Sequence, residues 1–156
     1  MHTENVITMN APADRIFEVA SNVLDWPRIL PHYRFVRLIR DDGPSKVVEM
    51  AAHRDGIPVK WTSILEPVAA EHRIIFRHIK GPTTGMYVEW TMQEAADGTV
   101  IVRIAHEFKP PVFMPEFIAK HVIGEFFVHN IASKTLATIK KLVEAENMGA
   151  KSDAGE

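Results

Sequence analysis

The sequence contains no cysteine. Disulfide bonds, thiol nucleophiles and metal sites built on cysteine are therefore excluded. No apolar run approaches the ~18 residues that a membrane-spanning helix needs, and the first residues do not show a basic segment followed by an apolar one. Neither sign of charge dominates, since the formal net charge is −2. We therefore expect neither a nucleic acid nor an anionic membrane as the partner.

The 156 residues have an ordinary composition for a globular chain, with 46% hydrophobic and 24% charged residues. A chain of this length can bury a substantial core, and we interpret residues 1–146 as a single domain. The last residues, 147–156, are small and polar and include two glycines, so we expect a disordered tail. With no targeting signal recognised, the expected location is the cytoplasm.

The order of the predicted elements indicates an α+β fold. A first strand ends at Ala11-Pro12, and two short helices follow, the second bounded by Pro27 and Pro31. Six β-rich segments then alternate with turn signals at roughly ten-residue spacing. The range 114–146 contains no proline after residue 115 and one glycine, which favours a long helix. These elements predict a curved, seven-stranded antiparallel sheet that covers one long C-terminal helix.

Alternation along the strands places an unusual set of side chains on the concave face of the sheet. Two tryptophans and three methionines are mixed there with two histidines and a serine. The set comprises Met50, Trp61, Ser63, Phe76, His78, Met86, Trp90, Met92 and His106. One interpretation is a large mixed core in which each histidine has a backbone partner. The other is an apolar cavity with a few polar groups, which is typical of small-molecule sites.

If the chain is an enzyme, Tyr33, Ser63, His78 and His106 are its candidate acid, base or orienting groups. A histidine can take up or release a proton near neutral pH. The alternative for each one is a core side chain with satisfied hydrogen bonds. His121, Glu125 and His129 share four-residue spacing, but one helix offers poor geometry for three metal ligands, so we predict a polar helix face and no metal. No motif for a cofactor occurs.

The segment between the last strand and the long helix, residues 109–117, is apolar and rich in proline. Val112, Phe113 and Met114 would be unusual on a loop without a function. Two interpretations remain open: a lid or interface over the mouth of a cavity, and a plug that packs against the edge of the core.

Several motifs resemble the helix-grip (START-like, SRPBCC) superfamily, and within it the polyketide aromatase/cyclases and the coenzyme-Q-binding START proteins. The resemblance covers nearly the whole ordered chain. The segments that carry it include DWPRILPHY after the first helix, WTS on a central strand and GPTTGMYVEW before a later strand. The resemblance implies a deep cavity between the sheet and the C-terminal helix. The pocket residues that it implies are Trp26, Leu30, Tyr33, Ser63, Met86, Trp90 and Thr135.

The same resemblance implies regiospecific aldol cyclisation and dehydration of a poly-β-ketone carried by an acyl carrier protein. The catalytic arginine of that family lies two residues after the serine of the Trp-x-Ser strand, where this sequence has Leu65. Two functions follow as hypotheses. One is a polyketide cyclase/dehydrase that binds an aromatic or polyketide-like molecule. The other is a carrier for a lipid or quinone without catalysis, which Leu65 favours. A homodimer with a filled core is a third alternative.

Overall fold

The computed structural model describes residues 1–54, 56–121 and 130–154. The strands are β1 (His2–Met9), β2 (Tyr33–Asp41), β3 (Lys46–Arg54), β4 (Ile57–Val68), β5 (Arg73–Lys80), β6 (Tyr87–Glu94) and β7 (Val100–Glu107). The helices are α1 (Ala13–Ser21), α2 (Trp26–Ile29), α3 (Glu116–Lys120) and α4 (Ser133–Ala154), with short 3₁₀ turns at Val23–Asp25 and Ala69–Glu71. The predicted α+β helix-grip fold is confirmed.

All seven strands form one antiparallel sheet in the order β1-β7-β6-β5-β4-β3-β2. Strands that follow one another along the chain from β2 to β7 pair as hairpins. Strand β1 forms one edge of the sheet, where it pairs with β7. The turn after β5 depends on Gly81, whose φ of +106° lies in the left-handed region that other residues rarely adopt. A Cβ atom at Gly81 would lie 3.0 Å from Trp61, so the turn packs closely against β4 at this residue.

Helix α4 lies on the concave face because its apolar side chains recur at helical spacing. Its inward residues Leu136, Ile139 and Val143 belong to the same buried cluster as the sheet. The first strand and the residue that follows it hold the helix at its first residue and near its middle. Asn5 Nδ2 donates to Ser133 Oγ at 3.1 Å, and the backbone N–H of Asn10 donates to Glu144 Oε2 at 2.9 Å.

The C-terminal end of α4 differs from the prediction. The expected disordered tail began at residue 147, but the helix continues to Ala154. Extending an existing helix avoids the cost of a new nucleus, and the segment contains methionine, alanine and lysine, which are good helix formers. Asn147 Nδ2 also donates to the backbone oxygen of Asn10 at 3.0 Å, which fixes the helix to the end of β1.

The predicted continuous helix over 114–146 can be compared only in part. Helix α3 begins at Glu116 and ends at Lys120, and α4 begins at Ser133. Residues 122–129 lie outside the described residues, so the predicted polar face with Glu125 and His129 cannot be placed. His121 is exposed to solvent.

Two structural features are absent from the described residues. Within the described ranges, no helix is long and apolar enough to cross a membrane. Over the same residues, no three histidine or carboxylate side chains come together in a way that could hold a metal ion.

Candidate functional site

A cavity of about 50 Å³ lies between the concave face of the sheet and the start of α4. Its walls are mostly apolar, with a few polar groups distributed among them. The lining residues are Trp26, Tyr33, Met50, Trp61, Phe76, His78, Val88, Trp90, Ile104, His106, Ile131, Ala132 and Thr135. Apolar walls with a few polar groups are typical of small-molecule sites.

The three tryptophans reach the cavity from three different elements. Trp26 begins α2, Trp61 lies on β4 and Trp90 lies on β6. The indole N–H of Trp26 donates to the backbone oxygen of Val19 at 3.2 Å, so this polar atom is satisfied inside the core. Tyr33 packs edge-on against Trp26, with ring centroids 5.1 Å apart. The result is an aromatic wall whose members hold one another in place.

His78 is held by two contacts inside the protein. Its Nδ1 atom and the hydroxyl of Thr83 are hydrogen-bonded at 2.6 Å, and its ring stacks on Trp61 with centroids 5.9 Å apart. Thr83 is fully buried because the turn after Gly81 folds it inward. Burial, followed by the nearby His106, lowers the pKa of His78 to about 3. The imidazole is therefore neutral at neutral pH, in a fixed orientation.

His106 reaches the same cavity from β7. The strands that carry His78 and His106 flank β6, where Val88 pairs directly with His106. Burial, with a smaller effect from His2, lowers the pKa of His106 to about 4. Its Nδ1 atom is buried and has no hydrogen-bond partner among the described residues. A buried polar atom without a partner is costly, so a bound molecule that supplies a partner would stabilise the site.

A third buried histidine, His32, contacts two residues of the cavity wall, Tyr33 and Thr135. Its Nε2 atom lies 2.9 Å from Thr135 Oγ1, and the Thr135 hydroxyl donates to the backbone oxygen of Ile131 at 2.7 Å. Because that hydroxyl already donates, it accepts from the Nε2–H of His32. Burial, and secondarily Lys134, lowers the pKa of His32 to about 4.

The sequence did not identify His32 as a functional candidate. The residue lies between Pro31 and the first residue of β2, where neither helical nor strand periodicity assigns an inward direction. Its position in the motif DWPRILPHY was the only available signal. The neighbouring Tyr33 was identified, and burial raises the pKa of its hydroxyl well above the ordinary range.

The structure brings most of the predicted site residues to the cavity. Those that line it are Trp26, Tyr33, Met50, Trp61, Phe76, His78, Trp90, His106 and Thr135. The predicted residues Leu30, Ser63, Leu65, Met86 and Met92 are buried in the surrounding core and do not line it. Val88, Ile104, Ile131 and Ala132 line it without having been predicted. The roles assigned to all of these residues stay predictions.

Ser63 and Leu65 lie on β4 in the second layer of the site. Ser63 is opposite His78 in the pairing of β4 with β5, and Leu65 is opposite Phe76. The hydroxyl oxygen of Ser63 is fully buried and has no partner among the described residues.

The loop before α3 is partly exposed. Val112 and Phe113 are among the most exposed apolar side chains, at 106% and 86% of their full accessibility, whereas Met114 packs against the core. The interpretation of this loop as a plug is therefore wrong for Val112 and Phe113 and holds for Met114. The function of the loop as a lid stays a prediction.

Comparisons with known proteins agree with this architecture. The aromatase/cyclase ZhuI from Streptomyces sp. R1128 superposes with a TM-score of 0.81 at 22% identity, over 92% of this chain and 93% of that one. The di-domain aromatase/cyclase BexL of the BE-7585A biosynthetic pathway superposes with a TM-score of 0.71 at 28% identity, over 94% of this chain and 46% of that one.

The sequence comparisons lead to the same group of proteins. The bifunctional cyclase/dehydratase of the granaticin polyketide synthase from Streptomyces violaceoruber is 26% identical over 108 residues. The match covers 68% of this chain and only 33% of that protein. A family profile described as "Polyketide cyclase / dehydrase and lipid transport" matches residues 9–135. The chain belongs to this polyketide cyclase/dehydrase and lipid transport family.

Proposed function

We propose that the protein binds an aromatic or polyketide-like molecule in the interior cavity and catalyses its aldol cyclisation and dehydration. The observation that carries this proposal is the presence of two buried, neutral imidazoles, those of His78 and His106, on the wall of one apolar cavity. A pure packing core has no need of two such groups, each of which costs free energy to bury. The family and the aromatic walls support the same function.

The chemistry needs a group that takes a proton and gives it back. In the cyclisation, a methylene between two carbonyls loses a proton, and the enolate carbon forms a bond with a ketone carbon. The ketone oxygen becomes an alkoxide and takes up this proton to give a hydroxyl, and water then leaves as that hydroxyl together with the second proton of the former methylene carbon. A neutral imidazole can accept the first proton, and the imidazolium that forms is a strong acid here because burial disfavours it. We assign this exchange to His106, whose Nδ1 has no hydrogen-bond partner among the described residues.

The other predicted catalytic residues would support this step. The Tyr33 hydroxyl stays protonated because its pKa is raised, so it can donate a hydrogen bond to a carbonyl oxygen. His78 is fixed by Thr83 and would orient the substrate. Ser63 lies beside His78 on the neighbouring strand and does not line the cavity, so it would act only if the cavity widened.

The experiment is an incubation with a poly-β-ketone thioester presented on an acyl carrier protein, which is the partner this substrate implies. We expect the protein to change the distribution of cyclised products relative to spontaneous cyclisation. His106→Gln is expected to lower this effect at least ~100-fold. His72→Asn is the matched control, because His72 lies outside the cavity in a left-handed conformation that asparagine tolerates. A product distribution equal to that without protein would overturn the proposal.

A second function, the carriage of a lipid or quinone, is favoured by one specific observation. Leu65 stands where the resemblance implies an arginine, and it is buried beside the cavity wall. A site without this cation holds a ligand more readily than it stabilises an enolate. Mass spectrometry of the protein purified in its native state is the test. A copurifying isoprenoid quinone or lipid would favour the carrier over the enzyme.

Either function requires the cavity to widen. A volume of about 50 Å³ is well below the roughly 300 Å³ that small-molecule sites usually have. We infer that residues 109–117 act as the lid, since Val112 and Phe113 are exposed while Met114 contacts the core. Hydrogen exchange of this segment should slow when a ligand binds. Unchanged exchange in the presence of a saturating ligand would exclude the lid. The homodimer with a filled core stays a prediction.

A further inference from the structure

The cavity is notable for the absence of charge on its described walls. Thirteen described residues line it, and none of them is an aspartate, glutamate, lysine or arginine. The polar side chains among them are Tyr33, His78, His106 and Thr135. Each is buried in apolar surroundings. A buried ion without a countercharge is strongly disfavoured.

The titratable groups of the wall do not supply a charge either. Burial lowers the pKa of both cavity histidines and raises that of Tyr33, so that all three are neutral near pH 7. The hydrogen bonds agree with this state. Thr135 already donates to Ile131 and accepts from His32, so its hydroxyl has no proton left for an anion, and the donors that remain on Tyr33 and the two imidazoles are uncharged.

One polar atom of a wall residue lacks a hydrogen-bond partner within the part of the chain that the structure describes. His106 Nδ1 is buried and has none among the described residues. A neutral imidazole has one donor nitrogen and one acceptor nitrogen. A hydroxyl group can serve either nitrogen, because it both donates and accepts, whereas a carboxylate only accepts. The wall therefore matches a hydroxyl better than any charged group.

We propose that this cavity is selective for neutral ligands that carry a hydroxyl or enol group, and that it rejects carboxylates such as fatty acids. The proposal rests on the function proposed above, since it names the class of molecule that the same cavity accepts. An apolar interior could hold neutral aromatic molecules or fatty acids, and the proposal distinguishes between these two classes of ligand. His106 is the residue that recognises the hydroxyl, and the uncharged wall is what excludes the anion.

The experiment compares ligands of matched shape by isothermal titration calorimetry at pH 7. The pair 2-naphthamide and 2-naphthoate differs in charge and hardly in size. We expect the neutral amide to bind at least ~10-fold more tightly than the carboxylate, because the carboxylate loses its hydration without gaining a cation. Equal or tighter binding of 2-naphthoate would overturn the proposal while leaving a ligand site in place.

A second pair tests the role of His106. The alcohol 2-naphthol is expected to bind more tightly than naphthalene, and His106→Phe should reduce this preference to about onefold while leaving the affinity for naphthalene within roughly twofold. His106→Gln, which keeps a donor and an acceptor, should retain part of the preference. An unchanged preference in both variants would overturn the assignment of His106. If none of the four compounds binds the unaltered protein, the ligand site itself is absent, and the proposed function fails together with this inference.

Discussion

Thr83 Oγ1 lies 2.6 Å from His78 Nδ1, and both side chains are buried. The threonine comes from the turn between β5 and β6, and the histidine from the strand that precedes it. The contact therefore joins the turn to the cavity wall, and it fixes which nitrogen of the imidazole faces the turn. Its partners are five residues apart in the sequence, so the turn itself produces the contact.

Replacing Thr83 by valine keeps the volume and removes the hydroxyl. His78 Nδ1 would then lose its partner inside the protein, and we expect the free energy of unfolding to fall by about 1–3 kcal/mol. Urea denaturation measures this change. Thr84→Val is the control, because Thr84 is exposed and bonds only to the backbone oxygen of Gly81. A loss for Thr83→Val no larger than that for Thr84→Val would show that the buried contact contributes little.

The turn itself depends on Gly81. A Cβ atom at this position would lie 2.8 Å from the backbone oxygen of Lys60 and 3.0 Å from Trp61, in addition to the strain of a φ of +106°. We expect Gly81→Ala to cost at least ~3 kcal/mol and to disturb His78 through the displaced turn. Gly98→Ala has a similar φ of +86° but no atom within 4 Å, so it should cost only about 1 kcal/mol. Similar melting temperatures for the two variants would contradict this account.

The buried histidines predict a dependence of stability on pH. The pKa values of His32, His78 and His106 are lowered from 6.5 to about 4, 3 and 4. Below pH 6.5 the unfolded chain binds protons that the folded chain does not, so acid favours unfolding. Stability should therefore rise between about pH 4 and 6.5 and be lost as the pH falls through this window. Each histidine contributes at most about 1.4 kcal/mol per pH unit there.

Urea denaturation between pH 7.5 and 5 measures this slope. Because one of three contributing groups is removed, His106→Gln should lower it by roughly a third. His72→Asn serves again as the control, since His72 lies on the surface next to Asp14. A flat profile over this range in the unaltered protein would mean that the three imidazoles are not buried in their neutral form.

A charge can be introduced beside the cavity by a substitution at Leu65. Leu65→Arg would introduce a cation on the inward face of β4, next to Phe76. We expect the ratio of the affinities for 2-naphthoate and 2-naphthamide to rise roughly tenfold, at a cost of several kcal/mol of stability for the buried charge. Leu65→Met is the uncharged control, and circular dichroism verifies folding. An unchanged ratio in the folded arginine variant would mean that this position does not communicate with the ligand.

The fold could be predicted from the sequence because its signals are local. The turn residues recur at roughly ten-residue spacing, and the strands between them alternate, so that the inward set from Met50 to His106 is buried as expected. The continuation of α4 to Ala154 was missed because its anchor is a contact with Asn10, far away in the sequence. Composition alone could not indicate that contact.

The cavity was predictable only in part, for a physical reason. Alternation tells which face a side chain occupies, but it does not tell how deep the cavity reaches. Ser63 and Leu65 therefore share a face with Trp61, yet Trp61 lines the cavity and the other two lie in the core. His32 was missed because it precedes its strand, and its burial depends on Thr135, which lies 103 residues later.

The central claim is that a small aromatic molecule binds at His78 and His106 inside the protein. The most direct measurement is the NMR spectrum of protein with isotope-labelled histidine side chains, titrated with 2-naphthol. The account predicts saturable shifts of the ring signals of His78 and His106, which line the cavity, and little change at His72 and His2 on the surface. Saturable shifts confined to surface histidines, or none at any histidine, would contradict it.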